Sequence, residues 1–197
     1  MRHVAAALRR VGVLAIQGDF EAHGKALERV GARGVAVRHE KDLGAIDALI
    51  LPGGESTTIS KGLDRLGLYG PIEAFAGSGK PVLGTCAGAV LLAREVRNHP
   101  VRCLGLLDAT AERNAYGTQV DSFAATAQAP GEFAGFRCVF IRAPRLVRVG
   151  PDVEVLACVD DWPVFVRQGA VLATTFHPEL TDDPRVHALL LEAIAGD

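Results

Sequence analysis

No stretch of the chain stays apolar for the roughly 20 residues a membrane-spanning helix needs, so no spanning segment is expected. The apolar segment from Val4 to Leu8 is shorter than the roughly 7–15 residue core of a signal peptide, and no small-residue cleavage site follows it. Residues 1–10 therefore read as an N-terminal tail or as the product of a start codon placed too early, and residues 11–197 as a single domain. Cysteine is scarce, and Cys86, Cys103, Cys138 and Cys158 show no C-x-x-C spacing, which argues against a zinc site or a redox pair. The formal net charge of −2 supplies no field that would draw nucleic acid or an anionic membrane. Internal repeats, linkers and low-complexity segments are absent. Without a leader or a disulfide framework, the expected compartment is the cytoplasm. Neither a metal nor a cofactor is expected.

What remains is an ordinary composition over 197 residues, enough for one domain with a sizeable core. The first half alternates two periodicities. Val11–Ile16, Val35–His39, Ala48–Leu51 and Pro81–Gly84 are short apolar runs of the kind that form buried parallel strands. Between them, Phe20–Val30 has helical spacing and stops at Gly31, and a helix capped by Ser56 or Thr57 runs toward Gly67. Ile72–Gly77 and Ala87–Arg94 complete the helical segments of this half. This order predicts an α/β fold, a mostly parallel sheet with helices on both faces. The second half offers short strands at Cys103–Asp108, Phe136–Arg142, Leu146–Val149, Val153–Ala157, Pro163–Gln168 and Val171–Thr174. These are antiparallel additions, with a tight turn at Gln168-Gly169. A last helix starts at Pro184 under an Asp183 cap and ends at Gly196.

Gly84-Thr85-Cys86-Ala87-Gly88 lies between a predicted strand and a predicted helix and has the form of a nucleophile elbow with cysteine as the nucleophile. A helix N-terminus aimed at the sulfur favours the reactive thiolate, and the N–H of Ala87 is placed to stabilise an oxyanion. The plainer reading is a core cysteine between two glycines. The other three cysteines sit in apolar, strand-like segments and read as buried thiols. Near the C-terminus, His177-Pro178-Glu179 follows a strand. In an extended chain residues two apart project to one side, so Glu179 can hold the His177 ring in one tautomer while the other nitrogen faces a thiol. An ordinary surface turn is the rival reading. His3, His39, His99 and His187 lack such a context and read as surface or satisfied residues. Leu51-Pro52-Gly53-Gly54-Glu55-Ser56 also ends a strand and opens a helix. It lacks the lysine of a phosphate-binding loop, and its glycines can bring bare N–H groups to a developing oxyanion or merely approach a helix cap.

The segments VGVLAIQGDF, LILPGGESTTI, PVLGTCAGAVLLA, RNAYGTQVDSF, FIRAP and TTFHPELT cover nearly the whole chain from Val11 to the last helix. Together they resemble the class I glutamine amidotransferases. GTCAG and HPE carry the superfamily. PGGESTT, RNAYG and FIRAP narrow the resemblance to the family of glutaminase subunits of pyridoxal 5′-phosphate synthase. The resemblance implies a flavodoxin-like fold and hydrolysis of L-glutamine to L-glutamate and ammonia through a Cys86 thioester. It implies delivery of the ammonia to a synthase subunit within a large hetero-oligomer, and low activity of the isolated chain. By it, Cys86 is the nucleophile, His177 the general base and acid, and Glu179 the residue that orients His177. Gly54, Glu55, Ser56, Arg113, Ile141 and Arg142 bind glutamine, and Ala87 and Gly53 form the oxyanion hole. The sequence departs from the family at Ala22-His23, where Glu-His is usual at a pair associated with the subunit interface and the acid here is Glu21. It departs also at Ala89 and at Tyr116. Two other readings are a glutaminase serving another synthase, such as imidazole glycerol phosphate synthase, and a non-catalytic or peptidase-like protein of the same fold.

Overall fold

The structure is a computed structural model that describes residues 8–115 and 122–195. Most of the expected tail, Tyr116 of the RNAYG motif and Gly196 lie outside the described residues. Among these residues the central sheet has seven strands. Four come from the first half: β1 (Arg10–Leu14), β2 (Arg33–Val37), β3 (Ala48–Leu51) and β4 (Val82–Thr85). Three come from the end: β10 (Glu154–Val159), β11 (Trp162–Gln168) and β12 (Val171–Thr174). Their order is β10-β11-β12-β4-β3-β1-β2, with β2, β1, β3, β4 and β12 parallel and the β10–β11 and β11–β12 pairings antiparallel. The mostly parallel α/β expectation, with antiparallel additions, is borne out.

The apolar runs of the central strands explain why helices cover both faces. In β3, Ala48 and Ile50 pack into one apolar cluster while Leu49 and Leu51 pack into another, as the two-residue period of a strand requires. The first cluster takes Leu27 from α1 (Phe20–Arg29) and Val186 and Leu190 from α6 (Arg185–Ala195). The second takes Ile59 and Leu63 from α3 (Ser56–Leu66), Ile72 from α4 (Tyr69–Gly77) and all but one residue of α5 (Ala87–Leu92). Each such aliphatic side chain, removed from water, contributes about 1.5–3 kcal/mol. A four-residue helix, α2 (Glu40–Leu43), links β2 to β3.

The remaining strands build two small sheets. One holds β5 (Ala93–Arg97), β6 (Leu107–Glu112) and β9 (Arg145–Val149), and the other holds β7 (Ser122–Thr126) and β8 (Arg137–Ile141). Several sequence-based boundaries need correction here. The helix expected over Ala87–Arg94 stops at Leu92, because Ala93 onward pairs with β6. The strand expected at Cys103–Asp108 begins only at Leu107. The hairpin expected at Gln168-Gly169 forms one residue later: Gln168 still pairs with Val171, and the two-residue loop is Gly169-Ala170, with Gly169 at φ +57. A second tight turn, Asp160-Asp161, has positive φ at both residues and joins β10 to β11. The cap of α6 is as expected, the Arg185 N–H donating to Asp183 at 3.1 Å. No helix among the described residues is long and apolar enough to cross a membrane.

Candidate active site

The C-terminal ends of β3, β4 and β12 are adjacent in the sheet, and each carries one of the three sequence motifs. Open α/β sheets bind ligands in the crevice outside the C-terminal ends of their strands. At the end of β4, Cys86 has φ +50 and ψ −104, a conformation a side chain normally avoids. The strain is held by its surroundings. The Cys86 N–H donates to the Thr174 carbonyl of β12 at 2.8 Å, and α5 begins at the next residue. Gly84 and Gly88 are required for this packing. A Cβ on Gly84 would lie 2.6 Å from the Gly88 carbonyl carbon, and one on Gly88 would lie 2.7 Å from the Leu51 carbonyl carbon. An elbow this tight fixes the thiol at the helix start and against the Ile141 carbonyl, 3.8 Å away.

His177 follows β12, and its N–H donates to the Val139 carbonyl of β8 at 2.8 Å. Its Nδ1 lies 2.7 Å from Oε1 of Glu179. The route by which the pair meets differs from the expected extended chain. Residues Pro178–Leu180 form a single 3-10 turn, which folds Glu179 back beneath the ring. Proline is at home in such a first turn because its missing N–H would be unpaired there anyway. The Glu179 side chain is 1% exposed. Burial opposes its charge, but the hydrogen bond to His177 and the charge of His177 hold its pKa below the usual carboxylate value. Burial likewise disfavours a charged His177, yet hydrogen bonds to Cys86 and Glu179 outweigh this and push its pKa up to about 10. Cys86 and His177 thus face one cavity, with the imidazole backed by a carboxylate.

Of the other cysteines, all expected to be buried, Cys138 is, and Cys103 and Cys158 are only partly so. Burial pushes Cys103 up to about 11 and Cys138 up to about 12, and Cys158 is raised for the same reason.

A cavity of about 200 Å³ opens over the thiol. Gly54, Glu55, Ser56, Cys86, Ala87, Arg113, Ile141, Arg142 and His177, all named from the sequence, line it. Gly53 does not line it and lies under the His177 ring, where an added Cβ would sit 3.0 Å from Nδ1. Val90, Asn114 and Pro144 also line the cavity. Asn114 and Pro144 fall within the RNAYG and FIRAP segments without having been singled out.

Glu55, not Ser56 or Thr57, caps α3. Its carboxylate accepts from the N–H groups of Thr57 and Thr58 at 3.0 and 2.7 Å and from the Thr58 hydroxyl at 2.8 Å. Glutamate reaches back where serine would because its extended backbone places two oxygens over the first turn. Burial would raise its pKa, but these hydrogen bonds pull it down to about 2. Arg113 donates to Glu55 at 2.7 Å and to the Thr57 hydroxyl at 3.0 Å. Arg142 enters the cavity from a backbone at φ +44 and takes part in none of the ion pairs among the described residues. The cavity that holds the thiol is therefore also lined by an ionised carboxylate and two guanidinium groups.

Sequence reasoning missed two buried histidines behind Glu179. His23, noted from the sequence only for the departure at Ala22-His23, is fully buried, and His187, expected on the surface or satisfied, is fully buried with its Nδ1 lacking a hydrogen-bond partner among the described residues. Both sit on helices that cover the same face of the sheet, far apart in sequence, so no local pattern signals their contact.

The chain matches the SNO glutamine amidotransferase family over residues 13–195. It is 53% identical to pyridoxal 5′-phosphate synthase subunit PdxT of Thermus thermophilus over 188 residues, which cover 94% of this chain and 97% of that protein. It is 46% identical to the subunit of the same name from Fervidobacterium nodosum over 184 residues, 93% of this chain and 96% of that one. A crystal structure of a glutamine amidotransferase superposes with a TM-score of 0.89 at 49% identity, covering 94% of this chain and 98% of the other.

Proposed function

Because the chain belongs to the SNO glutamine amidotransferase family, we propose that it is the glutaminase subunit of a pyridoxal 5′-phosphate synthase, with Cys86 as its nucleophile. The single observation that carries the reading is the juxtaposition of Cys86, on a strained elbow, with the His177–Glu179 pair at the floor of a charged cavity.

The geometry translates into steps. Glutamine enters with its α-carboxylate toward Arg142 and Arg113 and its α-ammonium toward Glu55, which stays ionised across the physiological range. The Cys86 thiolate attacks the side-chain amide carbon, and the carbonyl π electrons move onto oxygen. The N–H of Ala87 and an N–H of the Gly53-Gly54 turn stabilise that oxyanion. Protonated His177, held through Nδ1 by Glu179, gives its Nε2 proton to the amide nitrogen as the C–N bond breaks. Ammonia leaves and a γ-glutamyl thioester remains. Water then gives a proton to the neutral ring and attacks the thioester, releasing glutamate and regenerating the thiolate–imidazolium pair.

Ammonia set free in water would be protonated and would lose its nucleophilicity, so the product passes to a synthase subunit docked over the site in a large hetero-oligomer. The chain acts in the cytoplasm, where glutamine is available. A thiol-reactive glutamine analogue tests the assignment of the nucleophile. It should modify Cys86 alone, as read by peptide mass spectrometry, and excess glutamine should protect. Modification of Cys103 or Cys158 in place of Cys86 would contradict the assignment.

A further inference from the structure

Glu179 has two oxygens, and the reaction uses one. Oε1 accepts from His177. Oε2 is buried and has no hydrogen-bond partner within normal reach among the described residues. An ionised oxygen left in that state would be costly, since a buried polar group without a partner forfeits its hydration and a charged one forfeits more. The group aimed at it is Nε2 of His23, at 3.5 Å, from a side chain with no solvent exposure. The same nitrogen lies 3.4 Å from the hydroxyl of Thr85, the residue before the nucleophile. On its other side, His23 Nδ1 lies 3.1 Å from Nε2 of His187.

We propose that His23 is a positioning residue for the catalytic base, donating its Nε2–H to Oε2 of Glu179 and so fixing the carboxylate that orients His177; this rests on the glutaminase reading. Two polarities of the chain His187–His23–Glu179 are conceivable, and bonding decides between them. If His187 Nε2–H donates to His23 Nδ1, then His23 carries its hydrogen on Nε2, facing the carboxylate. The open atom is then a bare acceptor, Nδ1 of His187. In the reverse polarity a lone pair of His23 faces a carboxylate lone pair, with the Thr85 hydroxyl able to donate to that nitrogen, and the His187 Nδ1–H is a buried donor with no acceptor among the described residues. The first polarity leaves one acceptor unpaired, and the second leaves a donor unpaired beside a repulsive contact. Burial keeps both rings neutral, pushing His187 down to about 3 and lowering His23, so each ring carries a single hydrogen. The charged groups that face them are Glu179, His177 and Asp19 around His23, and Glu179 and Arg29 around His187. The 3.5 Å contact is long for a hydrogen bond. Such contacts in catalytic sites tighten when substrate binds.

The test uses the enzyme in complex with its synthase subunit. The kcat and KM for glutamine are measured across pH for the wild type, His23→Leu and His23→Gln. Glutamine places an amide N–H where imidazole has Nε2–H. In His23→Leu the ionised carboxylate loses its donor. The acid limb of kcat should then move to higher pH and kcat should fall about tenfold or more, with KM unchanged. His23→Gln should recover most of both effects. Ring ¹⁵N shifts of the wild-type protein supply a readout that needs no variant, with His23 expected neutral and its hydrogen on Nε2. Unmoved kcat and pH profile in a folded His23→Leu enzyme would overturn the proposal. So would a glutamine variant no better than the leucine variant, or a wild-type His23 with its hydrogen on Nδ1. If the wild-type complex did not hydrolyse glutamine, the functional reading would fall, while the tautomer would be decided independently.

Discussion

The elbow around Cys86 depends on two bare α-carbons, and Gly88→Ala tests how closely. An added Cβ would collide with the carbonyl oxygen of Leu51 and would sit 2.7 Å from its carbonyl carbon, where ordinary contact begins at 3.4 Å. Leu51 ends β3 in the middle of the sheet and cannot move freely. The first turn of α5 must therefore lift by roughly 0.7 Å or more, and overpacking of this kind costs about 1–3 kcal/mol. For a chain of this size that lowers Tm by about 2–12 °C. The functional effect should be larger than the thermal one. Cys86 begins the displaced helix while His177 stays with β12, and misplacing a reacting group by about 1 Å costs on the order of a hundredfold in rate. Gly70→Ala is the control, since an added Cβ in α4 meets nothing within 4 Å. It should leave activity unchanged and raise stability slightly. The assay pairs thermal unfolding by circular dichroism with glutamate release. A Gly88→Ala enzyme that melts and turns over like the wild type would refute the argument from packing.

Arg142→Met should raise KM for glutamine about 10- to 100-fold with a smaller change in kcat, the loss expected for one charge-assisted contact to the substrate. Steady-state kinetics of the complex measure it. Glu55→Ala removes the cap of α3 as well as a substrate contact, so a urea titration should show a loss of about 1 kcal/mol alongside a higher KM. His187 stays neutral in the folded chain down to about pH 3 but protonates near its ordinary value of 6.5 when unfolded. The unfolded state binds more protons in that window, so this contribution to stability is present above pH 6.5 and is lost as pH falls toward about 3. Tm of His187→Phe should accordingly fall less steeply than that of the wild type between those limits.

The parts of the fold that the sequence makes legible are those whose local pattern agrees with their final place. Ala48–Leu51 and Val171–Thr174 are buried on both faces, and a short, unbroken apolar run has few other uses. Ala93–Arg97 is the opposite case. Ala-Arg-Glu-Val continues a helical pattern well, and only pairing with Leu107–Glu112, formed later in the chain, turns it into a strand. Ser122–Thr126 alternates between exposed and half-buried positions and lacks a strong apolar signature. The site divides in the same way. Cys86, His177 and most of the cavity wall lie in compact motifs that the sequence shows. The cap at Glu55, the 3-10 turn that brings Glu179 under His177, and the meeting of His23 with His187 arise from packing. Isolated histidines on two separate helices give a reader no reason to join them.

The measurement that bears most directly on the account is glutamate release from glutamine by the purified chain, with and without the pyridoxal 5′-phosphate synthase subunit from the same source. The account predicts weak release alone, strong stimulation by that subunit, and loss of both in Cys86→Ala. Release that survives Cys86→Ala would contradict the assignment of the nucleophile, and a folded pair that shows no stimulation would contradict the assignment of the partner.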